Sequence, residues 1–236
     1  MMVRLGNFLF RVREFIFPLT LPLMFLPGPP LFTNGITAGL VGLALCLIGQ
    51  SIRGGTIGLV YIIRGGRNRR VYAEDLITDG IYRACRNPMY VGNVTIASGV
   101  AMASNSWGCV VVTVLFFSIF YYAIVRAEEE YLGRQFGEAY RRYCADVPRF
   151  IPSPGGIVQA FGETDFHWRR LLVKEYGTPM GWSLRWMVLL VYSLWRDGTL
   201  PDHPSLFPSL AVAIGTLATF YLTIRTLKKR RILAAD

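Results

Sequence analysis

The sequence predicts an all-α, polytopic transmembrane helical bundle of about six spans, with short cytosolic interfacial helices and no Rossmann domain. Three observations carry this expectation. Of 236 residues, 53% are hydrophobic, the formal net charge is nevertheless +10, and the two properties are segregated as long uncharged runs between arginine-rich connections. Nucleic-acid binding would instead need its basic charge on a water-exposed face beside a soluble core. No metal site is expected, because Cys46, Cys85, Cys109 and Cys144 lack CxxC or Cys/His spacing and the only histidines are His167 and His203.

Residues 1–75 are expected to form an N-terminal transmembrane hairpin and an interfacial segment. Arg4, Arg11 and Arg13 flank an apolar run at 14–32 that is crowded by Pro18, Pro22, Pro27, Pro29 and Pro30. With no small-residue cleavage site after it, the run reads as a retained, kinked first span. Thr33-Asn34-Gly35 signals a turn, and 36–52 is the second span, whose Gly39, Gly42 and Gly49 suit close packing against a neighbour. The apolar run at 56–63 falls short of the roughly 20 residues a helical crossing needs. It is followed by Arg64, Arg67, Arg69 and Arg70, so 53–70 is expected to be interfacial or re-entrant. No GxGxxG or GxxxxGK[ST] pattern occurs.

Residues 76–152 are the predicted core of the site. Asn87-Pro88 reads as a helix start, because Asn can cap backbone N–H groups and Pro needs none at the first position. Such an end at a membrane surface offers N–H groups to an anion. The apolar runs 89–103 and 109–125, separated by 104–108, read as a hairpin of two helices each about 30 Å long, which would bring Asn87 and Glu128 together at one membrane face. Beyond it, Phe136, Tyr140 and Tyr143 are spaced to share a helix face, and Glu138 and Arg142 form an i,i+4 pair.

Residues 153–236 read as a cytosolic loop with short helices to 176, then apolar segments at 182–195, interrupted by Arg185, and 206–227, ending in Lys228-Lys229-Arg230-Arg231. If the turns near Thr33, Ser104 and Asp197 face outward, only Arg196 of the 25 Lys and Arg lies outside. Both termini and the site are therefore expected at the cytosolic face.

Asp79-Gly80-Ile81-Tyr82, Arg86-Asn87-Pro88-Met89-Tyr90-Val91-Gly92, Glu128-Glu129-Glu130-Tyr131-Leu132 and Val147-Pro148-Arg149-Phe150-Ile151-Pro152 occur in this order with Phe136-Gly137, Tyr140 and Tyr143 between. In these elements the chain resembles the isoprenylcysteine carboxyl methyltransferase and phospholipid methyltransferase group of integral membrane enzymes. The resemblance implies an S-adenosyl-L-methionine site at the cytosolic helix ends, with cofactor contacts at Leu76, Ile77, Tyr82, Asn87, Pro88, Met89, Tyr90 and Glu128. Two positions depart from the pattern. Many relatives carry histidine where Asn87 stands, and eukaryotic members place a substrate-binding arginine where this chain has Ile124.

Methyl transfer from a sulfonium is an in-line displacement, so the protein must chiefly align donor and acceptor and exclude water. Glu128 suits the cofactor's ammonium or ribose hydroxyls, and the faces of Tyr82 and Tyr90 suit adenine or the sulfonium. Arg86, Arg126 and Arg149 are the candidates for holding an anionic acceptor, Arg149 as a substrate-binding residue. His167 and Trp168 could close the site from the loop. The expected partners are the bilayer and a lipophilic acceptor, with prenylcysteine carboxylate, phospholipid amine, small thiol and other lipid-like nucleophiles all open. An NADPH-dependent membrane reductase of sterol-reductase type is an alternative. A non-enzymatic six-span protein is another, though a transport pathway would need charges within the spans, where only Arg185 stands.

Overall fold

The computed structural model describes residues 1–19, 21–60, 73 and 75–234, with all side chains among them except those of 14–19 and 21. Among the described residues the regular structure is eight α-helices and three short 3-10 helices, with no strand. Three helices are long and apolar enough to cross a membrane, at Gly35–Leu59, Trp107–Asp146 and Leu206–Lys229. A multi-pass arrangement is thus supported, while the other expected spans fall below that measure of length and apolarity.

The first helix, α1 (Met2–Leu19), begins well before the apolar run, and a 3-10 helix at Leu21–Phe25 follows it. The expected single kinked span at 14–32 is therefore replaced by two pieces and an extended tail, since the prolines after Leu19 cannot donate to a helical ladder. The tail is pinned from outside. Asn105 accepts the Leu31 and Phe32 N–H groups at 3.1 and 3.0 Å, and the Ser106 hydroxyl donates to the Leu26 carbonyl at 2.9 Å.

Helix α2 (Gly35–Leu59) starts where the turn signal placed it, with the Asn34 side chain accepting the Ile36 N–H at 2.8 Å. It does not stop at 52. Gly54 and Gly55 are buried within it, facing Leu171 and Phe161, so tertiary packing sustains a helix that isolated glycines would weaken. The expected interfacial segment thus begins no earlier than the end of α2. Its remainder, with Arg64, Arg67, Arg69 and Arg70, lies outside the described residues.

Helix α3 (Pro88–Met102) runs antiparallel to α2 at backbone contact. A Cβ on Gly99 would lie 2.5 Å from the Gly42 carbonyl oxygen, and one on Gly49 would lie 2.7 Å from that of Gly92. At 15 residues, α3 is about 22 Å long, shorter than the expected 30 Å. In the linker to α4 (Trp107–Asp146), Ser104, Asn105 and Ser106 are buried against the pinned tail. Helix α4 does not stop near 125. It continues for 40 residues with one non-helical residue, Gly137, at φ 51°. The polar part is carried by i,i+4 pairs, Glu130 with Arg134 and Glu138 with Arg142, while Tyr140 and Tyr143 are buried in a cluster that Phe136 joins, as their spacing predicts.

Two short helices, α5 (Pro154–Glu163) and α6 (Trp168–Glu175), occupy the expected loop, followed by α7 (Gly177–Arg196) and α8 (Leu206–Lys229). Arg185 does not interrupt α7, because its Nε donates to the Gly181 carbonyl one turn earlier at 2.8 Å.

Gly99→Val should lower the stability of the detergent-purified protein by about 1–3 kcal/mol, the cost of overpacking a tight contact. Gly215→Ala in α8, where nothing lies within 4 Å, should leave the melting temperature unchanged or slightly raised. Equal melting of the two variants would contradict the α2–α3 contact.

Candidate functional site

The site grows from a turn that favours glycine. Gly80 has φ 56°, and a 3-10 turn at Gly80–Arg83 follows it. This buries Tyr82 at 2% exposure in a cluster with Leu59, Ile81, Ala84 and Ala160. The Tyr82 carbonyl accepts the Tyr143 hydroxyl at 2.9 Å, tying the turn to α4 beyond its kink.

The chain after α4 returns as a strap over this turn. Arg86 N–H donates to the Pro148 carbonyl at 3.0 Å, and Ser153 N–H to the Ala84 carbonyl at 2.9 Å. The Cys85 thiol donates to the Phe150 carbonyl at 3.2 Å. Burial pushes that thiol up to about 11, against the opposing pull of the Asn87 backbone N–H and the Arg86 charge, so Cys85 stays neutral and structural at pH 7.

Asn87 begins α3 but does not cap it with its side chain. Its Nδ2 donates instead to the Arg149 carbonyl at 3.1 Å, and its own N–H meets the Cys85 sulfur at 3.4 Å. The Asn87 carbonyl takes the Tyr90 and Val91 N–H groups at 3.1 and 3.2 Å. The helix end that sequence suggested would be open is therefore largely satisfied by the chain itself. Among the described residues, the Met89 N–H is the first-turn donor left over.

Glu128, expected beside Asn87, is met across the hairpin by Tyr90, the third residue of α3. The Tyr90 hydroxyl donates to Glu128 Oε1 at 2.7 Å, and the Tyr90 ring stacks on Tyr121 with centroids 4.9 Å apart. Both Tyr90 and Glu128 are half-buried. Beside them an apolar groove of about 360 Å³ opens between α3, α4 and the strap, lined by Tyr90, Val94, Tyr121, Tyr122, Phe150 and Ile151 among others.

Glu129, which sequence reasoning passed over, gathers the arginines. Arg149 binds it through two bonds, Nε to Oε1 at 2.7 Å and Nη2 to Oε2 at 2.9 Å, and Arg86 Nη1 reaches Oε1 at 3.1 Å. The bond to Glu129 raises the Arg149 guanidinium's pKa further. Arg86 also meets the Cys144 sulfur at 2.7 Å, and its buried Nε has no hydrogen-bond partner among the described residues. Arg126 lies outermost, 4.0 Å from Glu129 and 44% exposed. Helical geometry held the missed signal. Successive residues on a helix point about 100° apart, so Glu128-Glu129-Glu130 must address three directions. They do: Tyr90, the strap arginines and Arg134.

The remaining residues scatter. Leu76 packs with Leu132, Tyr140 and Tyr143, whereas Ile77 packs with Leu59, Ile81 and Tyr82. Pro88 is buried and Met89 half-buried at the start of α3. Ile124, at the position of the eukaryotic arginine, is fully buried in a cluster with Phe117, Phe120 and Tyr121. His167 docks by its N–H on the Gly58 carbonyl at 2.9 Å, and Trp168 packs on Phe166, so this part of the loop covers the end of α2.

Glu129→Gln should destabilise the protein by about 2–3 kcal/mol, because it leaves the guanidiniums of Arg86 and Arg149 uncompensated in a largely buried place. Arg126→Gln should cost no more than about 0.5 kcal/mol, as expected for an exposed partner at long range. Thermal melts in detergent check both, and equal losses would count against Glu129 as the common anchor.

A phospholipid methyltransferase family profile matches residues 37–139, which include α2, α3, the Tyr90–Glu128 contact and Glu129. The chain is 34% identical over 117 residues to protein-S-isoprenylcysteine O-methyltransferase of Schizosaccharomyces pombe, covering 46% of each chain. It is 29% identical over 117 residues to the cobalt-zinc-cadmium resistance protein CzcN of Cupriavidus metallidurans, covering 50% of this chain and 49% of that one. It is also 27% identical over 117 residues to the nickel-cobalt-cadmium resistance protein NccN of Alcaligenes xylosoxydans, with the same coverage. The chain thus spans about half the length of these relatives. No solved structure matches it. With its apolar helices, the chain is a multi-pass membrane protein that is similar, over this matched stretch, to phospholipid methyltransferases and isoprenylcysteine methyltransferases.

Proposed function

We propose that this protein is an integral membrane methyltransferase that takes its methyl group from S-adenosyl-L-methionine at the cytosolic face and passes it to a lipophilic acceptor. The observation that carries this reading is the Tyr90–Glu128 contact inside the family-matched stretch, at the mouth of an apolar groove. The proposed core is 76–152, flanked by an N-terminal part at 1–75 and a C-terminal part at 153–236. In this reading α1, α3 and α7 complete six crossings, with both termini cytosolic.

The chemistry of the donor set suits the cofactor. A half-buried carboxylate fits an ammonium or ribose diol, and stacked tyrosine faces fit a sulfonium. The bound cofactor supplies an electrophilic methyl group. Glu128 would hold the donor, and Tyr90 would orient that carboxylate through its 2.7 Å bond. Pro88 and Met89 would set the height of the helix end against it. Tyr82, Leu76 and Ile77 would act from the interior by shaping the turn, since Tyr82 is almost fully buried and the two aliphatic residues are half-buried. Asn87 would position the strap rather than cap the helix.

The groove walls of Phe150, Ile151 and Tyr122 would seat an alkyl chain and exclude water from the reacting atoms. Arg86, Arg126 and Arg149 surround a single carboxylate, so positive charge remains to attract an anionic group on an acceptor. The match to isoprenylcysteine methyltransferases supports such an acceptor, whereas the metal-resistance relatives carry no reaction in their names.

Calorimetry on the detergent-purified protein should detect binding of S-adenosylhomocysteine and none of NADPH. Glu128→Gln should weaken that binding by about 10- to 100-fold, the loss of one charged hydrogen bond, with the melting temperature retained. Tyr90→Phe should cost about tenfold or less. NADPH binding in place of S-adenosylhomocysteine, or unchanged affinity in the Glu128 variant, would refute the reading.

A further inference from the structure

On the opposite face of α3 from the apolar groove lies a second cavity of about 560 Å³, between α2, α3, α7 and α8. Four cations line it: Arg53, Lys174, Arg185 and Lys228. No Asp or Glu appears in its described lining. Arg53 is matched from behind by the buried Glu175, with Nη2 to Oε2 at 2.8 Å, and it also holds Asn93 and Thr178. Lys228 stands at the rim, its ammonium donating to the Val173 carbonyl at 3.1 Å and lying 5.3 Å from the Tyr176 ring centre.

Arg185 is the informative member. It sits within the apolar helix α7, with its Nε on the Gly181 carbonyl, and among the described residues no carboxylate pairs with it. A charge placed among apolar residues without a counterion is costly, and its presence there marks a ligand site. The rest of the wall is apolar, with Ile96, Val100, Phe117 and Trp182 facing the same space. Arg185 and Lys228 add positive charge to the Arg53–Glu175 pair, which suits a dianion, and the apolar wall suits the hydrocarbon beside it.

We infer that this cavity binds a phosphate monoester borne by an acyl-chain amphiphile, with Arg185 at its depth and Lys174 and Lys228 at its mouth. Phosphate oxygens would take the guanidinium and ammonium donors, and the first chain carbons would lie along Phe117, Val100 and Trp182. This site is separate from the Tyr90–Glu128 contact and does not draw on the methyl-donor reading. Lys174, Arg185 and Lys228 lie beyond the stretch that the family profile matches, while Arg53 and the α3 wall lie within it.

The test is calorimetry in a neutral maltoside detergent, with no methyl-donor cofactor present, so its failure and that of the methyltransferase reading are distinguishable. Dihexanoyl phosphatidic acid should bind and dihexanoyl phosphatidylcholine should not. Arg185→Gln and Lys228→Gln should each weaken phosphatidic acid binding by about tenfold. A double variant of the exposed Arg141 and Arg142, both to Gln, removes surface charge elsewhere and should bind as the parent does. Lys228 is itself exposed, so its variant is informative even if Arg185→Gln does not fold. Inorganic phosphate binding as tightly as the lipid would support the anion site and assign its ligand to free phosphate. Absence of phosphatidic acid binding, equal binding of the two lipids, or unchanged affinity in Lys228→Gln would overturn the inference.

Discussion

Helices α2 and α3 touch backbone to backbone, and most of the remaining geometry follows from that contact. At Gly42 with Gly99, and again at Gly49 with Gly92, no side chain separates the two helices. Between these points, Cys46 donates its thiol to the Ile96 carbonyl at 3.6 Å. Such packing fixes register, because a slide of one residue along either helix would drive a side chain into a carbonyl. With register fixed, Arg53 lies beside Asn93 and reaches Glu175, which anchors α6 and the start of α7. The same constraint sets the height of Pro88, and α4, laid against α3, then places Glu128 across from Tyr90.

The long helix α4 divides its labour by angle rather than by position. Three consecutive glutamates at the end of its apolar part serve three partners, and each partner belongs to a different layer. Glu128 meets α3, Glu129 holds the returning strap, and Glu130 pairs along the helix surface with Arg134. Glu129 thereby takes two arginines, while Glu128 accepts the Tyr90 hydroxyl beside the groove that Tyr90 lines.

Much of the architecture was legible in the sequence, because apolar runs longer than a helical turn have few alternatives in lipid. The α3–α4 hairpin, the aromatic face of Tyr140 and Tyr143 and the turn before α2 follow from spacing, whereas Glu128, expected beside Asn87, meets Tyr90. Helix ends were less legible. Gly54-Gly55 looked like a break and is a packing surface, while the polar end of α4 looked like a separate segment and continues the same helix to its kink at Gly137. Asn87 looked like a cap because local sequence shows only local partners. Its actual partner, the Arg149 carbonyl, is 62 residues away. Glu129 was missed for the same reason, since its ligands Arg86 and Arg149 lie on both sides of it in the chain.

The strap has a consequence for the order in which the protein is made. Residues 147–153 supply the carbonyls and N–H groups that satisfy Ala84, Cys85, Arg86 and Asn87, and they leave the ribosome some sixty residues after them. During that interval the α3–α4 hairpin can enter the bilayer while its polar end still faces water, where those groups are hydrated. The strap therefore closes over the turn only after the α3–α4 hairpin has been made. Insertion of this hairpin and completion of the groove wall by Phe150 and Ile151 become separate events.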